Sequence, residues 1–236
     1  MMIKRIDRSR IESSQRCKAY RFNRYERDTT GYSPEATSVP LCTGISAHVG
    51  VEMLFSGASL HEAARKAALT YLEVARPQAV ADEHTDAVLR EQMALAYALT
   101  YAWGLRRLPV FLSRYTVREI EEEKTVVLGT IFVPSQVQLE LMSRADGHLE
   151  DEDGFRFVLS LKTLGFGTFP KPRSGEDEDW LTLQTRIDNQ GLSEMFALQQ
   201  STGVEFDGVV MEWMLKGPRK YDARLDRRVQ WSPFLK

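Results

Sequence analysis

The sequence predicts an α/β protein in which N-terminal helices precede a mixed β-sheet with helices packed against it. Three observations carry this reading. Apolar residues recur at helical spacing through the first half of the chain, up to Pro109. From Val117 onward the spacing changes to alternation and β-branched runs. A last helical stretch then precedes one more apolar run, an order that suits a hairpin feeding a mixed sheet.

Residues 10–27 read as a helix with Ile11, Cys17, Tyr20 and Phe22 on a partial apolar face and Ser9 as N-cap. Residues 28–40 are rich in Thr, Gly, Ser and Pro and read as a loop. Ile45, Val49 and Met53 predict a helix over 44–56, ended by Gly57. Ser59 and Glu62 form a capping-box pattern at the start of a helix over 59–72. A long helix over 84–105 follows, with Leu89, Met93, Tyr97, Tyr101 and Gly104 on one side. The aromatic stripe Tyr97, Tyr101, Trp103 reads as core, and Pro109 closes the helical half. Strands are predicted over 117–121, 125–133, 137–146 and 156–163, with Asp153-Gly154 as the turn between the last two. A polar loop over 170–179, a helix over 188–201 and a strand over 208–215 complete the order. The chain reads as one domain: 1–109 mainly helical, 110–216 the sheet core, 217–236 a basic tail with no structural stop signal at its end, which leaves open a chain cut from a longer one.

At 236 residues, 43% hydrophobic and 27% charged, the chain can bury a core without disulfides and is not disordered in composition. Its two cysteines form no Cys-x-x-Cys pair, so neither a zinc ribbon nor an iron–sulfur cluster is signalled, and two cysteines in this length suit a reducing compartment. The first residues lack the apolar core of a signal peptide, and no apolar run spans a membrane, so a cytoplasmic location is expected. The net charge of −2 conceals segregation: residues 4–27 hold nine Lys or Arg against three acids, while acids concentrate at 119–123, 150–153 and 176–179. Basic ends around an acidic middle suit a polyanion held over a metal, although a solvated surface has the same composition.

The predicted hairpin carries the chemistry. Asp146 ends one strand, and Ser160 and Lys162 lie two apart on the next, so they share a face. A lysine in an otherwise apolar strand implies a partner. An acid, a polar group and a lysine on one face form the skeleton of a metal-assisted hydrolase. A single Asp146–Lys162 salt bridge inside a sheet explains the same pattern. His48 is either a packing histidine or a ligand that Glu52, four residues on, could orient. His61, His84 and His148 read as surface. Arg144 suits either a phosphate or a neighbouring glutamate.

Taken in order, Cys17-Lys18-Ala19-Tyr20, Gly44-Ile45-Ser46-Ala47-His48, Glu119-Ile120-Glu121-Glu122-Glu123, Arg144-Ala145-Asp146-Gly147, Leu161-Lys162-Thr163 and Gln190 resemble the RecB-like branch of the PD-(D/E)XK nucleases. The small phage and CRISPR-associated exonuclease-like proteins of that branch are the nearest in pattern. The resemblance runs from Ser9 to Lys216 and implies a restriction-endonuclease-like core. It implies a Mg²⁺- or Mn²⁺-dependent DNA nuclease, an exonuclease of phage recombination or DNA repair, in the cytoplasm of a bacterial or phage-infected cell. His48 and Asp146 would bind metal, with Glu121 a further candidate; Lys162 would position the attacking water, and Gln190 the DNA backbone. Arg144, Lys216, Arg219 and Lys220 are the expected DNA contacts. DNA is the expected partner, with a second copy or a recombination protein beside it and no membrane. Only Cys17 matches the cysteines of the branch members that hold an iron–sulfur cluster, so no cluster is expected and Cys17 reads as a small buried apolar residue.

One position departs from the pattern: the (D/E) of (D/E)-x-K falls on Ser160, which carries no charge. Three accounts are open. The acid has moved to another position facing the site, with Glu194 and Glu121 as candidates. The protein is an inactive relative that retains DNA affinity. Or the serine was introduced to trap a complex.

Overall fold

A computed structural model describes residues 2–7, 10, 17–25, 38–75, 85–132, 136–165 and 189–216. Their elements run β1 (Met2–Ile6), α1 (Lys18–Tyr25), α2 (Val39–Phe55), α3 (Leu60–Ala75), α4 (Asp86–Arg106), α5 (Leu108–Leu112), β2 (Tyr115–Phe132), β3 (Gln136–Asp151), β4 (Arg156–Gly165), α6 (Asn189–Thr202) and β5 (Gly208–Lys216). The fold is mixed α/β, and the chain divides into two compact units. The first comprises 1–34, 118–160 and 187–210; the second comprises 35–117, 161–186 and 211–236. The strands β4 and β5 begin in the first and end in the second.

The second unit is mainly helical. α2 begins at Val39, five residues before the predicted start, because Ser38 is extended and Pro40 falls in the first turn, where no backbone N–H is needed. α3 starts with the predicted capping box: Ser59 N donates to Glu62 Oε2 at 3.0 Å and Glu62 N donates to Ser59 Oγ at 3.3 Å. Thr85 caps α4 through its hydroxyl. Small residues draw these helices together. A Cβ on Gly50 would lie 2.6 Å from Thr100 Cγ2 and 3.0 Å from Ala67 Cβ. Cys42, Ala67, Tyr71, Ala75, Leu89 and Ala96 form one core cluster. Pro109 does not close the helical half; it sits in the first turn of α5, a position it tolerates for the same reason as Pro40.

Of the aromatic stripe only Trp103 is core. Its indole meets Phe55 edge-on at 5.5 Å and donates to Glu212 at 3.3 Å. Glu212 is buried and also accepts two bonds from Arg107, at 2.7 and 2.9 Å, so its charge is paired in bidentate geometry. Tyr97 and Tyr101 are half-buried, stacked nearly parallel at 6.0 Å, and line an open apolar groove of about 520 Å³ between α3 and α4. His61, exposed as read, has its Nδ1 2.7 Å from the Tyr97 hydroxyl.

The first unit is built on the sheet, whose strand order is β1-β3-β4-β5 with β2 also paired to β3. The short β1, which sequence patterning does not reveal, runs parallel to β3 from Met2↔Val137 to Ile6↔Leu141, and Arg5 Nε meets the buried Glu140 at 3.2 Å. The two strands expected over 117–133 are one, β2, whose charged middle does not break it because a strand face open to water tolerates charge. β3 and β4 pair antiparallel from Glu150↔Arg156 to Gly147↔Leu159. At their turn Gly154 takes φ +84°, and Asp151 Oδ1 accepts from the amides of Asp153 and Phe155 at 3.0 and 2.9 Å. Ala145, Val158, Leu198 and Phe206 form a core cluster with Met195, Val204 and Val209 packed against it, which seats α6 on the sheet. β5 starts beside β4: Asp207 N donates to Arg156 O at 2.7 Å and Arg156 N donates to Asp207 Oδ2 at 2.8 Å.

Cys17 is exposed, not buried: it lies just before α1, next to the equally exposed Lys18 and Ala19. Cys42 is the buried cysteine, and burial pushes its thiol pKa up.

Candidate functional site

In the first unit, the site is anchored on the β3–β4 hairpin. Asp146 and Ser160 are the residues next beyond the Gly147↔Leu159 pair on their two strands. Gly147 lets β2 close on this point: a Cβ there would lie 3.2 Å from the Glu119 carbonyl oxygen. Asp146 is half-buried. Ser160 is fully buried, at 0% exposure, and its Oγ has no hydrogen-bond partner. It shares this state with the buried hydroxyls of Thr70 and Thr100 in the second unit. By alternation Ser160 shares its face of β4 with Val158, the residue that packs in one cluster with Leu198 of α6.

α6 presents its buried stripe to the sheet at Gly191, Glu194, Ala197 and Leu198. Gly191 permits the close approach, since a Cβ there would lie 2.8 Å from Val209 Cγ1. Glu194 sits on this stripe and is only 2% exposed. Gln190 lies on α6 one turn before Glu194. Glu121 lies within β2. Arg144 is exposed on β3.

The first unit also holds a histidine, His148, that the sequence reading placed on the surface for want of metal-ligand spacing. His148 is half-buried, edge-on to Phe206 at 4.7 Å, and its Nε2 has no hydrogen-bond partner. Burial lowers its pKa, while Glu119 pulls the other way. Close by, Arg118 donates to Glu150 at 2.7 Å and holds that carboxyl below its usual range. Local spacing gives no sign of this cover, because Phe206 lies 58 positions later in sequence.

In the second unit, His48 is half-buried on α2, and Glu52 follows it by one turn. Gly44, one turn earlier, lies directly against β4: a Cβ on it would stand 3.1 Å from Thr163 Oγ1. The helix that bears Gly-x-x-x-His therefore packs on the residue that follows Lys162. Lys162 is half-buried and engaged with a partner, as a lysine in an apolar strand requires. Alternation gives it the face of β4 shared with Ser160 and opposite to Thr163. Lys216 ends β5, and Arg219 and Lys220 lie outside the described residues, as does His84.

Among the described residues no three or more His, Cys, Asp or Glu side chains are grouped as a metal site. The donors on the hairpin and α6 fit a hard cation nonetheless. Mg²⁺ takes oxygen ligands, needs only one or two carboxylates, and completes its shell with water and phosphate oxygens. The orphaned Ser160 hydroxyl beside Asp146 is consistent with such a guest. No helix of the described residues is long and apolar enough to cross a membrane.

No protein-family model matches the chain, and no curated protein matches it.

Proposed function

We propose that the protein is a divalent-metal-dependent DNA nuclease with a restriction-endonuclease-like core, working as an exonuclease in recombination or repair. The observation that carries this reading is Gly44 seated against Thr163, which joins the Gly-x-x-x-His helix to the strand of the (D/E)-x-K motif. Two segments more than a hundred residues apart, both picked out by the resemblance, are packed together. In this reading His48 and Asp146 are metal ligands, Lys162 orients the water that attacks phosphorus, and Gln190 holds the DNA backbone. A bound Mg²⁺ or Mn²⁺ supplies charge neutralisation on the phosphate and lowers the pKa of that water. Hydrolysis forms one P–O bond to water oxygen and breaks the bond to the leaving oxygen, with Lys162 countering charge that grows on the phosphate.

Ser160 favours a second reading, a DNA-binding scaffold on the same fold. A buried neutral residue occupies the position where the pattern has an acid.

End-labelled linear single- and double-stranded DNA, incubated with Mg²⁺ or Mn²⁺, separates the two. The nuclease reading expects the native chain to cut and Lys162→Ala to lose about 10²–10⁴-fold in rate. The scaffold reading expects a native chain that binds DNA without cutting and gains cleavage on Ser160→Asp. A chain that neither cuts nor binds ends both.

A further inference from the structure

We propose that the groove between α3 and α4 is a nucleotide-binding site, in which a nucleobase lies against Tyr97 and Tyr101 and its phosphate meets Arg65 and Arg90. It uses residues of the second unit alone and does not rest on the nuclease reading. Two tyrosines one turn apart on a helix belong in a core if that face is covered. Here both stay half-buried, with rings 6.0 Å apart and only 9° from parallel. Ala68, Met93, Ala98 and Leu105 line the groove with them. The alanines leave space beside the rings, about 520 Å³ in all, which is the size of a small-molecule site. His61 Nδ1 lies 2.7 Å from the Tyr97 hydroxyl, and its ring packs 5.2 Å from that of Tyr101, so the aromatic wall is fixed before a guest arrives. Flat aromatic faces beside methyl groups suit a flat aromatic guest, and every base has such a face.

The rim decides between an aliphatic and an anionic guest. His61, Arg65 and Ala68 recur four and three residues apart, so Arg65 stands on the side of α3 that borders the groove. Arg90 precedes the groove residue Ala94 by one turn of α4. Both guanidiniums are exposed, and neither pairs with a carboxylate among the described residues; Arg90 donates to the Asp86 carbonyl at 3.4 Å. The acids near them are otherwise engaged: Glu62 with Ser59 at 2.6 Å, Glu73 with Lys66 at 3.6 Å, and Glu91 as well. Uncompensated cations beside an apolar aromatic slot match the phosphate and the base of a nucleotide. An acyl chain or an apolar helix would use neither cation. The same chemistry is offered by a free nucleotide and by a base within a single strand.

The test is run in EDTA, so that cleavage plays no part. The native chain is irradiated with an oligothymidylate carrying iododeoxyuridine, digested with trypsin and mapped by mass spectrometry. The expected adduct lies on Tyr97 or Tyr101, in the peptide spanning residues 91–106. Excess thymidine monophosphate removes that adduct if the groove takes free nucleotides and leaves it if the groove takes a strand; the adduct upholds the proposal in both cases. Adducts confined to other peptides overturn it, as does a labelled fatty acid that occupies the groove of a chain giving no such adduct. Anisotropy of a labelled oligothymidylate supplies the second reading. Tyr101→Ala should weaken binding about tenfold or more, whereas Tyr101→Phe, which keeps the ring face, should bind as the native chain does. Arg65→Gln should weaken binding and lessen its dependence on salt. Native affinity in both Tyr101→Ala and Arg65→Gln overturns the site. Cleavage with Mg²⁺ is scored apart: a chain that forms the adduct but never cuts ends the nuclease reading and spares this one.

Discussion

His148 alternates with apolar neighbours on β3, as a surface residue of a half-buried strand does, yet Phe206 covers its ring. Burial lowers its pKa against the opposing pull of Glu119, and Arg156 adds to the lowering. The folded pKa lies below the unfolded value of about 6.5, so the unfolded chain takes up the proton more readily. His148 therefore costs nothing at neutral pH and weakens the fold as pH falls through the unfolded pKa toward the folded one. Thermal melts between about pH 7.5 and pH 5 should show the native Tm dropping more steeply than that of His148→Phe. Equal slopes would refute this account. What the sequence disclosed at this scale was local: the Ser59–Glu62 box and the Asp153-Gly154 turn are decided within four residues. His148 and the unpartnered Ser160 hydroxyl were misread or unseen because segments distant in sequence decide what covers them.

Among the elements, α2, α3 and α4 depend on the absence of a side chain at Gly50. Alanine is the better helix former by about 1 kcal/mol. Here that gain is outweighed, because the new methyl would overlap Thr100, which is fully buried and has no room to yield. Gly50→Ala should destabilise by about 1–3 kcal/mol in urea unfolding, and Gly50→Ala with Thr100→Ser should recover part of that loss. A gain in stability from the single substitution would show that the helices are free to separate. Glycine inside a helical pattern reads in sequence only as a weakness, which is why Gly50 carried no signal. Helix periods, by contrast, were plain in the sequence, as were the hairpin and the order of α6 and β5. β1 was not, since five residues hold too little pattern and its partner lies 135 positions away.

For the whole molecule, a net charge of −2 says little about DNA, because counterion release is set by the phosphates that the protein neutralises and not by its total charge. The segments rich in Lys and Arg, residues 4–27 and the tail after Lys216, should set the salt dependence. On the proposed nuclease reading, removing 217–236, with Arg219 and Lys220, should weaken DNA binding and reduce the slope of log K against log salt by about 0.9 for each phosphate left without a cationic partner. An unchanged slope would mean that other segments grip the backbone. The division into two units, each drawn from three separate stretches of chain, has no counterpart in the sequence pattern, which reads one domain whose helical, sheet and tail parts follow in chain order. Hydrophobic period reports which residues are buried but not which buried residues share a core.

The meeting of Gly44 and Thr163 ties two distant positions into one heritable trait. At 3.1 Å there is no room for both an alanine at 44 and a threonine at 163 without one of them yielding. Lineages descending from such a chain should gain a side chain at 44 most readily alongside a shift or a smaller residue at 163. Paired change at these positions would record, across many generations, that the helix and the strand never ceased to touch.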